Sequence, residues 1–253
     1  MTDPHLTFDA LQSERERSAI PTPRGHWIMG QRWEDLLFLS WPVPVEAIRA
    51  LVPAGVEIDT FEGTAWVSAV PFWMERAHFR GLPPIPFLAS FPEVNIRTYV
   101  RAGEHRAVWF LSLDTQSHVN VFLARHAFHL PYFFADVEMR RGDEIQFRSE
   151  RDGGVAAFEV TYRGTGPESV PAEGTLEHFL TERYSMVCTS HEDVLFRGDI
   201  AHDPWRLRAA EWTPKRMELP AILGMGLGSR EPVAFYAAAT QVALWAPVRI
   251  DAV

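Results

Sequence analysis

Between residues 117 and 133 the sequence reads SHVNVFLARHAFHLPYF, and its polar members recur at helical intervals. His118, Phe122, Arg125 or His126, and His129 fall at i, i+4, i+7/8 and i+11, which predicts one side of a helix over 117–130. Aimed into a pocket, that stripe supplies general acids and bases, or a cation for an anionic ligand. His126 and His129, with Asp114 and Asp136 nearby in sequence, are also of metal-ligating type. HExxH does not occur, however, and two histidines three apart define no metal site, so none is assigned. Arg125 sits among Val, Phe, Leu and Ala and needs either a carboxylate (Glu93, Asp114 or Asp136) or a bound anion. Tyr132, a few residues on, offers a hydroxyl among phenylalanines, a poor base at an ordinary phenol pKa of ~10.

A second set lies on FPEVNIRTYV. Alternation there places Val94, Ile96, Thr98 and Val100 on one face of a strand and Asn95, Arg97, Tyr99 and Arg101 on the other, with Glu93 continuing the polar row. Turned inward, Glu93, Asn95 and Arg97 form a polar binding surface; turned outward, they are an ordinary solvated face. Cys188 is the only cysteine, which excludes an internal disulfide and a cysteine metal cluster; it is expected to be buried and inert, with His191 a weak candidate base. Lys215 is the only lysine. Schiff-base chemistry must run through it or be absent, and its charged surround, EWTPKRMEL, reads as surface.

The elements that would hold these residues are mostly strands. WEDLLFLSWPVP is an apolar run of strand length. VPVEAIRALVP reads as a short helix begun at Pro44 and stopped by Pro53. GVEIDTFEGTAWVSAVPFWM reads as two strands joined at FEG. VNIRTYVR and AVWFLSLDT form a hairpin through AGEH, and EIQFRSE with VAAFEVTYRG a second, turning at Gly153 and Gly154. A further helix is expected over TLEHFLTERYSMV, then strands at VLFRGDI and within FYAAATQVALWAPVRI. HDPWRLRAAEW is expected to pack on a sheet edge. The fold class that follows is α+β, an antiparallel barrel-like sheet with a few helices. Residues 1–25 read as an N-terminal arm and 26–253 as a single domain.

With nine Trp and seventeen Phe the chain can bury a large core. It has no uninterrupted apolar window of ~18 residues and begins with a polar, mixed-charge segment, so no membrane partner and a cytoplasmic location are expected. A formal charge of −9 argues against nucleic acid as a partner.

Taken in order, LVPAGVEIDTFEGTAWVSAVPF, FPEVNIRTYV, WFLSLDT, ARHAFHLPYFFA and HDPW resemble the YqjF-like family of uncharacterised bacterial proteins. That family is similar to acetoacetate decarboxylase, and the resemblance implies its antiparallel, barrel-like α+β fold around a central cavity; it is also compatible with a homo-oligomer. In the decarboxylase signature an Arg in a Gly-Arg-Glu run precedes the Pro of Phe-Pro-Lys-Lys by six residues. Arg125 and Pro131 keep that spacing, but Tyr132 and Phe133 stand at the two lysine positions. One lysine forms the Schiff base and the other lowers its pKa, functions that a phenol and a phenyl ring do not perform. Glu93 or Asn95 falls where the enzyme carries a site glutamate.

The expected function is a cavity that binds a small acidic or carbonyl-bearing metabolite without a cofactor, Arg125 holding the anion and Glu93, Asn95, Arg97, His118, His126, His129 and Tyr132 around it. The alternative is a lysine-independent lyase, hydratase or isomerase, with Tyr132 or a histidine as acid/base and Arg97 or Arg125 stabilising an enolate. A third reading has the cavity filled by side chains.

Overall fold

A computed structural model describes residues 8, 23, 25–86, 88–154, 156–190, 192–219 and 231–251. Fourteen strands make up one sheet: β1 (Met29–Val43), β2 (Glu57–Ile58), β3 (Ala65–Phe79), β4 (Phe91–Ala102), β5 (His105–Thr115), β6 (Tyr132–Phe134), β7 (Asp136–Arg140), β8 (Ile145–Glu150), β9 (Phe158–Ser169), β10 (Ser185–Thr189), β11 (Leu195–His202), β12 (Leu207–Met217), β13 (Val233–Leu244) and β14 (Val248–Arg249). Among the described residues three helices interrupt them: α1 (Val45–Arg49), α2 (His118–Ala127) and α3 (Leu176–Thr181).

The strands β11-β10-β5-β4-β3-β1-β13 follow one another, and β13 pairs back onto β11 through Ile200↔Leu244, Ala201↔Ala243 and His202↔Val242. The sheet is thus ring-like. From β13 it runs on through β12, β9, β8 and β7, and this extension packs over the outside of β1, β3 and β4. The layer between them is the main hydrophobic core, with Leu37 and Leu39 from β1, Val94 and Ile96 from β4, and Phe147, Phe158 and Val160 from the extension.

That core explains β4. Val94, Ile96 and Val100 fill it, so period-2 alternation sends Glu93, Asn95, Arg97 and Tyr99 to the inside of the ring. The row has no solvated face at all, because every residue from Phe91 to Val100 is buried. Both expected hairpins form, with Ala102↔His105 closing one and Ser149↔Phe158 the other.

The two strands expected on either side of FEG also form, and Glu57–Ile58 pairs with β4. Two expectations are corrected. The helix expected over TLEHFLTERYSMV ends at Thr181; Ser185–Thr189 is a strand, paired with β11 and, in parallel, with β5. HDPWRLRAAEW is no edge packing but the end of β11 and the start of β12, and its Trp205 is buried inside. Most of the 1–25 arm, and His191, lie outside the described residues. Phe8 is buried, its ring 5.2 Å from Trp27 and 5.4 Å from His78. Among the described residues no helix is long and apolar enough to cross a membrane.

Candidate functional site

Inside the ring lies a cavity of about 450 Å³, which the aromatic side chains leave unfilled. The inward row of β4 contributes Phe91, Glu93, Asn95 and Arg97 to its wall. A bulge in β5, where Ile96 pairs with Ser112 but Arg97 with Phe110, lets Phe110 and Leu113 both face inward although they are three apart. Helix α2 lies against the opening. Its N-terminus is capped by Ser117, whose hydroxyl accepts from the Asn120 amide at 3.2 Å.

The cavity's central polar contact joins β4 to β6. β6 runs parallel to β5, with Leu113 opposite Tyr132, and this places the Tyr132 ring in the cavity. Its hydroxyl donates to Glu93 Oε2 at 2.7 Å. Burial pushes the Glu93 carboxyl up to about 8, the Tyr132 hydrogen bond pulls it partly back, and the Asp114 carboxylate adds to the rise. Burial and the Glu93 charge together hold the Tyr132 phenol well above its ordinary range. Near neutral pH both groups therefore keep their protons. Glu93, and not Tyr132, is the member that titrates closest to neutrality. Asp114 is itself held by Arg151, with Arg151 Nε to Oδ2 at 2.8 Å and Nη2 to Oδ1 at 2.6 Å.

Deeper along β4 stands a cation. Arg97 is 8% exposed, and its Nη2 donates to the Leu180 carbonyl at 3.3 Å. Nε has no hydrogen-bond partner, and among the described residues no carboxylate lies within ion-pair distance. The rings of Phe38 and Tyr99, 5.4 and 5.9 Å from the guanidinium carbon, supply only weak compensation. Asn95 Oδ1, between Arg97 and Glu93 on the strand, is also buried and without a partner. The other arginine of the wall, Arg183, differs: its Nη1 donates to Asp59 Oδ2 at 2.6 Å, so its charge is matched. Ser185, His202 and Trp205 complete this polar end.

Helix α2 is rotated relative to the expected stripe. Asn120, Leu123, Ala124 and Ala127 face the cavity, so the side carrying His118, Arg125 and His126 is exposed. His118 stacks on Phe134 with centroids 3.6 Å apart, and the His126 ring meets the Phe122 carbonyl at 2.7 Å. His129, in the left-handed region at φ 53°, packs by the Phe196 ring. None of these four residues lines the cavity. Arg125 is satisfied by none of its expected carboxylates: its Nε donates to the Tyr132 carbonyl at 2.6 Å, and its guanidinium covers Phe133. It holds the strand that carries Tyr132. Among the described residues no three His, Cys, Asp or Glu side chains gather to hold a metal.

Arg183, Ser185, His202 and Trp205 were not expected here. Arg183 and Ser185 were hidden by the over-long helix; His202 and Trp205 sit in the HDPW block, where the Asp-Pro break was the available signal. Cys188 is buried, with its thiol pushed up to about 11. Lys215 is exposed on β12 and paired with Glu159 at 3.0 Å, so no lysine amine reaches the cavity.

This fold, a ring-like sheet around a cavity, is that of the acetoacetate decarboxylase-like proteins. It superposes on the enduracididine biosynthesis enzyme MppR complexed with pyruvate with a TM-score of 0.65 at 12% identity, covering 91% of this chain and 93% of that one. An acetoacetate decarboxylase-like enzyme from Sphingomonas wittichii RW1 gives 0.61 at 11% identity (90% and 95% covered), and acetoacetate decarboxylase from Legionella pneumophila 0.62 at 13% (94% and 95%). At such identities the likeness is one of fold. By sequence the chain belongs to the DUF2071 family, described as an uncharacterized conserved protein, whose model matches residues 30–241. It is 39% identical to the uncharacterized protein YqjF of Bacillus subtilis (strain 168) over 236 residues, 92% of this chain and 97% of that protein.

Proposed function

We propose that the cavity binds a small organic acid that also carries a carbonyl group. The observation that carries this reading is Arg97, a buried cation in the cavity wall with no carboxylate partner among the described residues. Burying an unpaired charge is costly, and a ligand carboxylate removes the cost by accepting from the guanidinium. The remaining polar groups suit the same ligand. Protonated Glu93 offers a donor to a carbonyl oxygen, and Asn95 Oδ1 accepts from a hydroxyl or enol. That the fold holds pyruvate in MppR agrees with a keto acid. The anion site thus moves from Arg125, expected from sequence, to Arg97.

The test is a thermal-shift series with small carboxylates and keto acids on the wild type, Arg97→Gln and Arg125→Ala. A ligand that binds the folded state raises the melting temperature. Wild type and Arg125→Ala are expected to respond and Arg97→Gln not; an equal response from all three removes the assignment.

The Glu93–Tyr132 pair favours a second reading, lysine-independent proton transfer of the kind a lyase, hydratase or isomerase uses. Glu93, titrating at about 8, is matched to exchanging a proton with a carbon next to the carbonyl. Arg97 would hold the charge that develops. In D₂O, a bound keto acid should then exchange its α-protons with the wild type and not with Glu93→Gln, while both still bind it. Exchange that survives in Glu93→Gln excludes the pair as the base.

A further inference from the structure

The polar stations of the cavity stand in order along β4. The segment after β3 leads into Phe91, then come Glu93 and Asn95, and Arg97 is farthest from that segment. At the other end, Phe79, Leu82 and Ile85 beside β3 and Leu123 on α2 line the cavity and are also 48–61% exposed. They form an apolar rim. The cavity therefore grades from a buried cation, through the Glu93–Tyr132 pair, to an apolar mouth.

Size separates the ligand classes. At a generous share of roughly 30 Å³ per heavy atom, taken from liquid water, a four-carbon keto acid occupies less than half of the 450 Å³. The space left over is walled by side chains such as Phe72, Met74, Phe110 and Leu130, which offer water few partners. Filling it takes on the order of fifteen heavy atoms, most of them carbon.

We infer that the ligand is an amphipathic acid with an aliphatic or aryl body of about eight to twelve carbons, its carboxylate at Arg97 and its body reaching the apolar rim. This rests on the proposed anion site and adds the ligand's size and direction. A short keto acid satisfies Arg97 but leaves the apolar walls uncovered. An uncharged chain covers the walls but leaves the cation unpaired. Only a molecule with both parts meets the whole cavity.

The test is calorimetric titration of the full chain with straight-chain monocarboxylates from butanoate to dodecanoate, the alcohols of matching length, pyruvate and phenylpyruvate. Proteins compared are the wild type, Arg97→Gln and the rim variant Ile85→Asp/Leu123→Asp. Each methylene is expected to tighten binding by up to about fourfold, levelling off near the ten-carbon acid. Phenylpyruvate should bind at least tenfold more tightly than pyruvate. Alcohols should bind far more weakly, Arg97→Gln should lose the preference for acid over alcohol, and the rim variant should weaken only the longer acids. Butanoate binding as tightly as decanoate, with both lost in Arg97→Gln, overturns the inference and leaves the anion site standing. Binding of no acid at any length overturns both. If long acids bind and Arg97→Gln is indifferent, the direction assigned to the ligand is wrong.

Discussion

The Tyr132 hydroxyl and Glu93 Oε2, 2.7 Å apart, belong to residues 39 positions apart in sequence, one on a three-residue strand and the other on the most buried strand of the ring. The contact binds β6 to β4 across β5, which pairs with both. It also partly offsets the burial that holds a proton on Glu93.

The first consequence is for stability against pH. Glu93 titrates at about 8 in the folded chain, against 4.5 for an ordinary glutamate. Between those values the folded state keeps a proton that the unfolded state has released. This stabilising contribution is complete below about pH 4.5 and is lost as pH rises through 8. Glu93→Gln keeps a neutral side chain at every pH. By denaturant unfolding it should match the wild type at pH 5 and exceed it at pH 9, by a few kcal/mol. Parallel pH profiles for the two proteins would refute this.

Tyr132→Phe removes a hydrogen bond that favours the charged carboxylate. The Glu93 pKa is therefore expected to rise further, read as the carboxyl infrared band persisting to higher pH than in the wild type. A downward shift would mean that Tyr132 accepts from Glu93 instead of donating to it.

The two buried arginines should respond oppositely. Asp59→Asn strands the Arg183 guanidinium and is expected to cost about 3 kcal/mol, as loss of one partner from a buried ion pair does. Arg97→Met removes a charge that has no such partner and should cost less than about 1 kcal/mol in the absence of ligand. Equilibrium unfolding of both variants checks the contrast, which fails if Arg97→Met is the costlier change.

Arg125→Ala is expected to lose about 1 kcal/mol, the worth of one hydrogen bond to the Tyr132 carbonyl. Its affinity for carboxylates should stay within about threefold of the wild type. A loss comparable to that of Arg97→Gln would return the anion to α2.

Much of this arrangement was legible in the sequence, for identifiable reasons. The alternation in VNIRTYVR registers β4 correctly, because a strand buried on both faces can still sort apolar from polar side chains. Which face turns inward depends on the extension β7–β9, whose docking no local pattern announces. The helix at 117–130 was legible too, but its rotation was not. Three histidines and an arginine at helical spacing look like a functional stripe. The buried side chain of α2 is Val121, and the helix turns Asn120, Leu123, Ala124 and Ala127 to the cavity instead of the charged stripe. Arg183 was lost because TERYSMV continues a helical pattern past Thr181, and the parallel pairing with β5 overrode that local preference.

One strand carries the polar stations of the cavity, and its reverse side carries the core. Glu93, Asn95 and Arg97 line the cavity, while Val94, Ile96 and Val100 fill the core behind it. The same division holds at Tyr132, which enters the cavity, and Phe133, which is instead covered by the guanidiniums of Arg125 and Arg151. Chemistry and scaffold are interleaved residue by residue yet separately mutable. Along β4 the lining of the cavity and the filling of the core therefore fall to alternate residues of the same strand.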